Sequence, residues 1–249
     1  MSLVFSASAT KSGIVDLIYR NTGADSVKYP IAEVTSDVNL AVDALLTRAI
    51  MASGKWQVDD SSHTHDPIIT TNLSSGKRDY HFTVDEQSNL ILDIYRVMVA
   101  DENGIFYDLD LVDQQSKSEA IGMVDGQNKT GKPTMYDKTA NGIFLDVIPN
   151  YDYTNGLKLF VNREALYFAV SDTTKKSGFD GRLHEYLAVR PTAYYAQRKG
   201  LKTAPFWANE LLKYEGDESR GFKGLIKKIY SGRMKDEQLS FSPENVNSI

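Results

Sequence analysis

Apolar positions recur at helical spacing near both ends of the chain and at strand spacing between them. Residues 12–20 place Ile14, Leu17 and Ile18 on one face, with Ser12 as the candidate cap and Gly23 as the stop. A polar loop runs through Pro30. Thr35-Ser36-Asp37 then opens a longer helix, with Ser36 as N-cap and Asp37 at the positive helix end. Val38, Val42, Leu45, Leu46, Ala49 and Ile50 follow on one side, and Gly54 ends the run.

From about residue 78 to 170 the period is two. This predicts strands at 80–84, 92–99, 105–111, 143–147, 157–161 and 165–170, with Tyr95, Val97 and Val99 on one face of the second. Asn103-Gly104 between two such runs signals a hairpin, and Asn141-Gly142 and Asn155-Gly156 punctuate later strands in the same way. The polar stretch 113–140 reads as a long loop with at most one short helix.

After Gly178 the helical period returns. Residues 182–199 carry Leu183, Tyr186, Leu187, Ala193, Tyr194 and Ala196, with Pro191 expected to kink or split the run and Gly200 to end it. Thr203-Ala204-Pro205 starts another helix, with Phe206, Leu211 and Leu212 expected inward. Gly216 to Ser219 breaks it, and 222–230 is a last amphipathic piece. The order helices, strands, helices predicts an α+β fold. Residues 1–55 and 178–230 would form a helical bundle from the N- and C-terminal segments. An antiparallel β-sandwich or barrel-like domain, 56–177, would be inserted in it, and 231–249 would be a flexible tail.

Composition narrows the function classes. The chain has 249 residues, is 41% hydrophobic and 24% charged, and has no cysteine, so it suits a folded soluble protein without disulfides or thiolate chemistry. No apolar run approaches a membrane span. Residues 1–10 lack a cationic start and a long apolar core, so they read as a flexible arm rather than a signal peptide. Charge is segregated: residues 181–249 hold 12 Lys/Arg against 8 Asp/Glu, and residues 1–180 hold 16 against 25. Such a chain suits two unlike neighbours.

Candidate chemistry is thin. Asp59, Asp60, His63, His65 and Asp66 are metal-ligand types, but they lack a helical His-x-x-x-His spacing, and hydrogen-bonded loop residues are the better reading. Gly126 to Lys132 matches most of a phosphate-cradling loop, yet Pro133 stands where a hydroxyl for Mg²⁺ is needed. No nucleophile constellation stands out. His81 and His184 fall on a strand and a helix, and Asp108 and Asp110 share one strand face toward solvent. Tyr151, Tyr153, Phe160, Tyr167 and Phe168 could form a stacking platform, although packing is the default. Arg220, Lys223, Lys227, Lys228, Arg233 and Lys235 are the densest basic run, suited to phosphate or to an acidic protein rim. Neither a metal nor another cofactor is expected, and no enzymatic activity.

Several blocks in order resemble the head-to-tail adaptor (connector, neck) proteins of tailed bacteriophages. They are Gly13-Ile-Val-Asp-Leu-Ile-Tyr19 with Tyr29-Pro30, then Trp56-Gln-Val-Asp59-Asp60 with Asp66-Pro67-Ile68 and Thr70-Thr71-Asn72-Leu73. Asn155 to Val161, Asp172-Thr-Thr, Gly178-Phe179 and the 183–200 helix follow, so the resemblance spans roughly residues 10–200. It implies a homo-oligomeric ring of about twelve copies under the capsid portal, made in the host cytoplasm and resident in the neck of the virion. It implies contacts with portal protein and with tail, nozzle or fibre proteins, with genomic DNA passing through the channel and no membrane. The rival readings are a β-rich binding module for glycan or a tail-fibre partner, and a hydrolase built on Asp59, His63 and His65.

Overall fold

The computed structural model describes residues 3–7, 9–53, 68–85, 88, 90–112, 129–139 and 141–231. The architecture is mixed α+β. The helices are α1 (Ile14–Thr22), α2 (Ile31–Ser53), α3 (Tyr186–Arg198), α4 (Ala204–Glu215) and α5 (Leu225–Ser231). The strands are β1 (Ile68–Leu73), β2 (Asp79–His81), β3 (Ile91–Ala100), β4 (Phe106–Asp108), β5 (Asp110–Leu111), β6 (Met135–Thr139), β7 (Gly142–Leu145), β8 (Tyr153–Arg163), β9 (Gly216–Asp217) and β10 (Phe222–Lys223).

The helical core draws on both ends of the chain. Ile14 and Ile18 of α1, Val38, Val42 and Leu45 of α2, Tyr186 and Leu187 of α3, and Ile226 and Ile229 of α5 pack together. Helix α2 starts five residues before the expected Ser36 cap. Pro30 needs no amide partner there, and its carbonyl accepts the Val34 N–H at 3.0 Å, so the first turn forms immediately behind it. Helix α1 is capped at Gly13 rather than Ser12. The Asp16 carboxylate accepts the Gly13 and Ala7 N–H groups, and Ser12 instead bonds Thr10. Pro191 is buried inside α3 without ending it; the break falls earlier, at a 3₁₀ turn over Gly181–Leu183. At the far end the Gly200 N–H donates to Gln197 and the Leu201 N–H to Ala196, a Schellman closure with Gly200 at φ +62°.

Two open four-stranded sheets, ordered β1-β8-β3-β4 and β2-β7-β6-β5, share a second core of Ile69, Val97, Val99, Tyr136, Ile143 and Leu159. Neither sheet closes into a barrel, and β5 runs parallel to β6, so the second sheet is mixed rather than purely antiparallel. Strands β1 and β6 lie where the sequence predicted none. The Asn103-Gly104 hairpin forms between β3 and β4, with the Asp101 carboxylate accepting the Asn103 and Ile105 N–H groups. Asn155-Gly156 is a bulge inside β8 instead of a turn: Asn155 sits at φ +56° and its N–H donates to the Asn72 side chain at 2.8 Å.

Residues 165–170 are not a strand. The Asn39 side chain on α2 donates to the Phe168 carbonyl at 3.0 Å and accepts the Phe168 N–H at 2.9 Å, which occupies both groups a ladder would need. Ala165 and Phe168 therefore feed the helical core, although sequence placed this stretch with the β region. The N-terminal arm is likewise held over residues 3–7. Phe5 is fully buried and stacks on Phe168, its N–H donates to Lys175, and the Leu3 N–H donates to Nδ1 of His184. No helix among the described residues is long and apolar enough to cross a membrane.

Candidate functional site

Helix α3 is buried along most of its length, which leaves Arg190, Tyr194, Gln197 and Arg198 to face outward at i, i+4, i+7 and i+8. Helix α4 packs beside it through Leu211 and Tyr214, which lean on the helical core. No side chain of α4 is fully buried, yet the helix is apolar on several sides. Phe206 and Leu212, expected inward, stand 56% and 38% exposed, because only one flank of α4 meets the core. Between the two helices runs a groove lined by Ala193, Tyr194, Pro205, Ala208, Leu211 and Leu212. Tyr194 continues it toward Leu40 on α2, and Glu215 lies at its other end beside a hollow edged by Arg48, Met51 and Lys227. A groove between helices lined mainly by apolar side chains is a candidate interaction site.

Charged pins fix both ends of the groove. At one end the Glu215 carboxylate accepts from Arg190 at 2.5 Å, from the Tyr186 hydroxyl at 2.8 Å and from Arg48 at 2.8 Å, so α2, α3 and α4 meet on one side chain. At the other, Arg198 pairs with Glu33 at 2.6 Å and with Asp37 at 3.5 Å. The Tyr29 hydroxyl donates to Asp37 at 2.5 Å, and its ring stacks on Tyr195 at 4.3 Å. Burial, and then the neighbouring carboxylates Asp37 and Glu215, push the Tyr29 and Tyr186 phenols well above their ordinary range. The groove is thus held between rigid walls rather than on a loop.

Among the described residues, the expected site residues do not converge. Trp56, Asp59, Asp60, His63, His65, Asp66 and Pro67 lie outside the described residues, as do Arg233 and Lys235 and the first half of the phosphate-loop motif. Asn72 supports the β8 bulge. In the second half of that motif, the Gly131 N–H donates to the Ile148 carbonyl and Lys132 lies over the Tyr107 ring, so these groups serve the β lobe. Of the basic run, Arg220 pairs with Asp217 at 3.2 Å, and Lys223, Lys227 and Lys228 are exposed around β10 and α5.

His184 is buried, accepting from Leu3 through Nδ1 and reaching the Phe179 carbonyl through Nε2, which makes it a pin for the N-terminal arm. His81 is exposed beside Asp79. Asp108 pairs with Arg96 through two contacts and is held below the ordinary carboxylate range, first by that hydrogen bond. Among the aromatics, Lys158 lies over Phe106 and Arg96 over Phe160, so cations already cover ring faces that a sugar or base would stack on. Among the described residues no group of three or more His, Cys, Asp or Glu is placed to hold a metal ion.

The groove itself was missed in the sequence. Its one signal was that Ala204, Phe206, Trp207, Ala208, Leu211 and Leu212 surround α4 too widely for a single buried stripe. No family model matches the chain, and no curated protein matches it.

Proposed function

We propose that this chain is a structural virion protein, a ring subunit of the head-to-tail adaptor that joins the capsid portal to the tail of a tailed bacteriophage. The observation that carries the reading is the α3–α4 groove: a rigid, apolar, outward face on a helix with no buried side chain of its own. A ring subunit needs such unlike lateral surfaces, because head-to-tail packing joins different patches of neighbouring copies. The helical unit, a bundle of both chain ends, forms the ring body in this reading. The two-sheet lobe, packed as a sandwich, faces outward or toward the tail. Lys223, Lys227 and Lys228, with Arg220, Arg233 and Lys235, approach the portal. The ordered resemblance over residues 10–200 and the segregated charge support the same assignment.

A truncation at residue 203 is a poor test of the portal contact, since it removes Ile226, Ile229 and Tyr230 from the core. Charge reversal avoids this. Native mass spectrometry and negative-stain imaging of the full chain, with and without cognate portal, are expected to give a closed ring on the portal. The triple variant Lys223→Glu, Lys227→Glu, Lys228→Glu is expected to fold normally and to lose portal capture at least tenfold. A chain that neither oligomerises nor binds portal under any condition overturns the reading.

A further inference from the structure

We infer that His184 is an acid-sensitive latch: a second proton on its ring releases the arm of residues 3–7 from the helical core.

The hydrogen bonds at the ring fix its protonation. The Leu3 N–H can only donate, and it meets Nδ1 at 3.0 Å, so Nδ1 carries no proton. The single proton of the neutral ring therefore sits on Nε2 and donates to the Phe179 carbonyl at 2.9 Å. His184 is only 2% exposed, so both nitrogens are committed to protein partners. A second proton would stand on Nδ1 and point at the Leu3 N–H, donor against donor, inside the core. Either that proton stays off or the arm comes away.

No neighbouring acid offsets the conflict. Among the described residues His81, and not His184, has a carboxylate partner. On the turn and helix that carry His184, Asp180 holds Arg182 at 2.8 Å and Glu185 accepts from Tyr214 at 3.1 Å. From α5 the Tyr230 phenol acts electrostatically on Arg182. Along the segment that the arm pairs with, Asp172 lies 3.6 Å from Lys175, and Lys176 is exposed. On α1, Asp16 accepts the Gly13 and Ala7 N–H groups, and Arg20 is exposed. Residues 3–7 carry no charged side chain.

The latch bond is the outermost of a row of ties. Val4 bridges Lys176, the Phe5 N–H donates to the Lys175 carbonyl at 2.8 Å, and the Ser6 N–H donates to that of Thr173 at 3.1 Å. In return the Val4 and Phe5 carbonyls accept the Ile14 and Val15 N–H groups at the start of α1. Phe5 stacks on Phe168 with ring centres 4.6 Å apart. An opening that begins at Leu3 runs inward toward Phe5. Release uncovers an apolar slot beside Phe168 and leaves the first N–H groups of α1 to solvent.

The direction in pH follows from proton counting. The docked arm holds a ring with one proton, whereas a released ring in water takes up a second as pH falls below the ordinary histidine value of about 6.5. Acid therefore favours release, by up to about tenfold per pH unit, and the arm is held fully above that range.

Amide exchange of the full chain, read by mass spectrometry at about pH 7.5 and about pH 5.5 and corrected for the intrinsic effect of pH, tests the latch. Peptides that contain residues 3–7 are expected to lose about tenfold in protection in acid, while peptides from β8 keep theirs. In His184→Asn the side-chain oxygen replaces Nδ1 as acceptor and gains no proton, so the arm is expected to stay equally protected at both values. Nitrogen NMR of histidine-labelled wild-type chain reads the ring directly, whatever the fate of the variant. A bare Nδ1 at neutral pH, with a doubly protonated ring appearing in step with the loss of protection, supports the latch. Constant protection of the arm in acid, a loss shared by the β8 peptides, an equal loss in His184→Asn, or a proton on Nδ1 while the arm is docked overturns it.

Discussion

Arg163 and Asp85 meet at 3.1 Å with each side chain only 3% exposed, which ties the end of β8 to the residue that follows the Val84–Leu90 bridge ahead of β3. Removing one member of a buried pair leaves an uncompensated charge, so Asp85→Ala is expected to cost about 3–5 kcal/mol in urea unfolding. Replacing both, as Asp85→Leu with Arg163→Met, is expected to recover most of that loss. A cost below about 1 kcal/mol for the single change would mean that water reaches the pair.

Glu215 gathers three helices, so its loss is felt at a distance from any core methyl group. Glu215→Ala leaves Arg48, Arg190 and the Tyr186 hydroxyl without their shared acceptor. About 2–3 kcal/mol of destabilisation is expected, against about 1 kcal/mol for Tyr186→Phe, which removes one neutral hydroxyl that donates to Glu215 and accepts from Arg190. Equal costs in denaturant titration would show that the arginines find other acceptors.

Stability is expected to fall in alkali. Tyr29 and Tyr186 have phenols raised above the ordinary value of 10.0, by burial first and then by Asp37 and Glu215. The unfolded chain releases those protons near pH 10, while the folded chain still holds them. The folded state therefore binds more protons above that pH, and their contribution is complete below pH 10 and is lost as pH rises further. Unfolding free energy measured between about pH 8 and pH 11 should drop, with tyrosinate absorbance appearing only as the protein unfolds. Tyr29→Phe should flatten the slope, and an unchanged slope would assign the effect elsewhere.

Asn72 belongs to the block that most suggests the adaptor family, yet its visible work is local. Its side chain accepts the N–H of Asn155, which sits in the left-handed region at φ +56°. Asn72→Ala is expected to cost about 1 kcal/mol in thermal unfolding and to leave the proposed ring assembly intact. Loss of assembly without loss of stability would give Asn72 an interface role instead.

The helix–strand–helix order was legible because buried helices and strands impose different apolar periods, as Val38, Val42 and Leu45 or Leu157, Leu159 and Val161 show. Three errors share one cause. Local preference alone points to a cap at Ser36, a strand at 165–170 and a turn at Asn155-Gly156. In each case a distant or neighbouring group took over the backbone: Pro30 ahead of α2, Asn39 at Phe168, Asn72 at Asn155.

Composition and periodicity were sufficient for the α+β class, the return of the chain end to helix and the uneven charge, since each depends only on which residues are neighbours along the chain. Whether Phe206, Leu212, Leu92 and Tyr95 face the core or the solvent was settled by packing. Helix α4 meets the core along one flank, and two β3 bulges rotate single residues out of the ladder. No periodic pattern encodes those outcomes, because they arise from surfaces brought together by residues far apart in the chain.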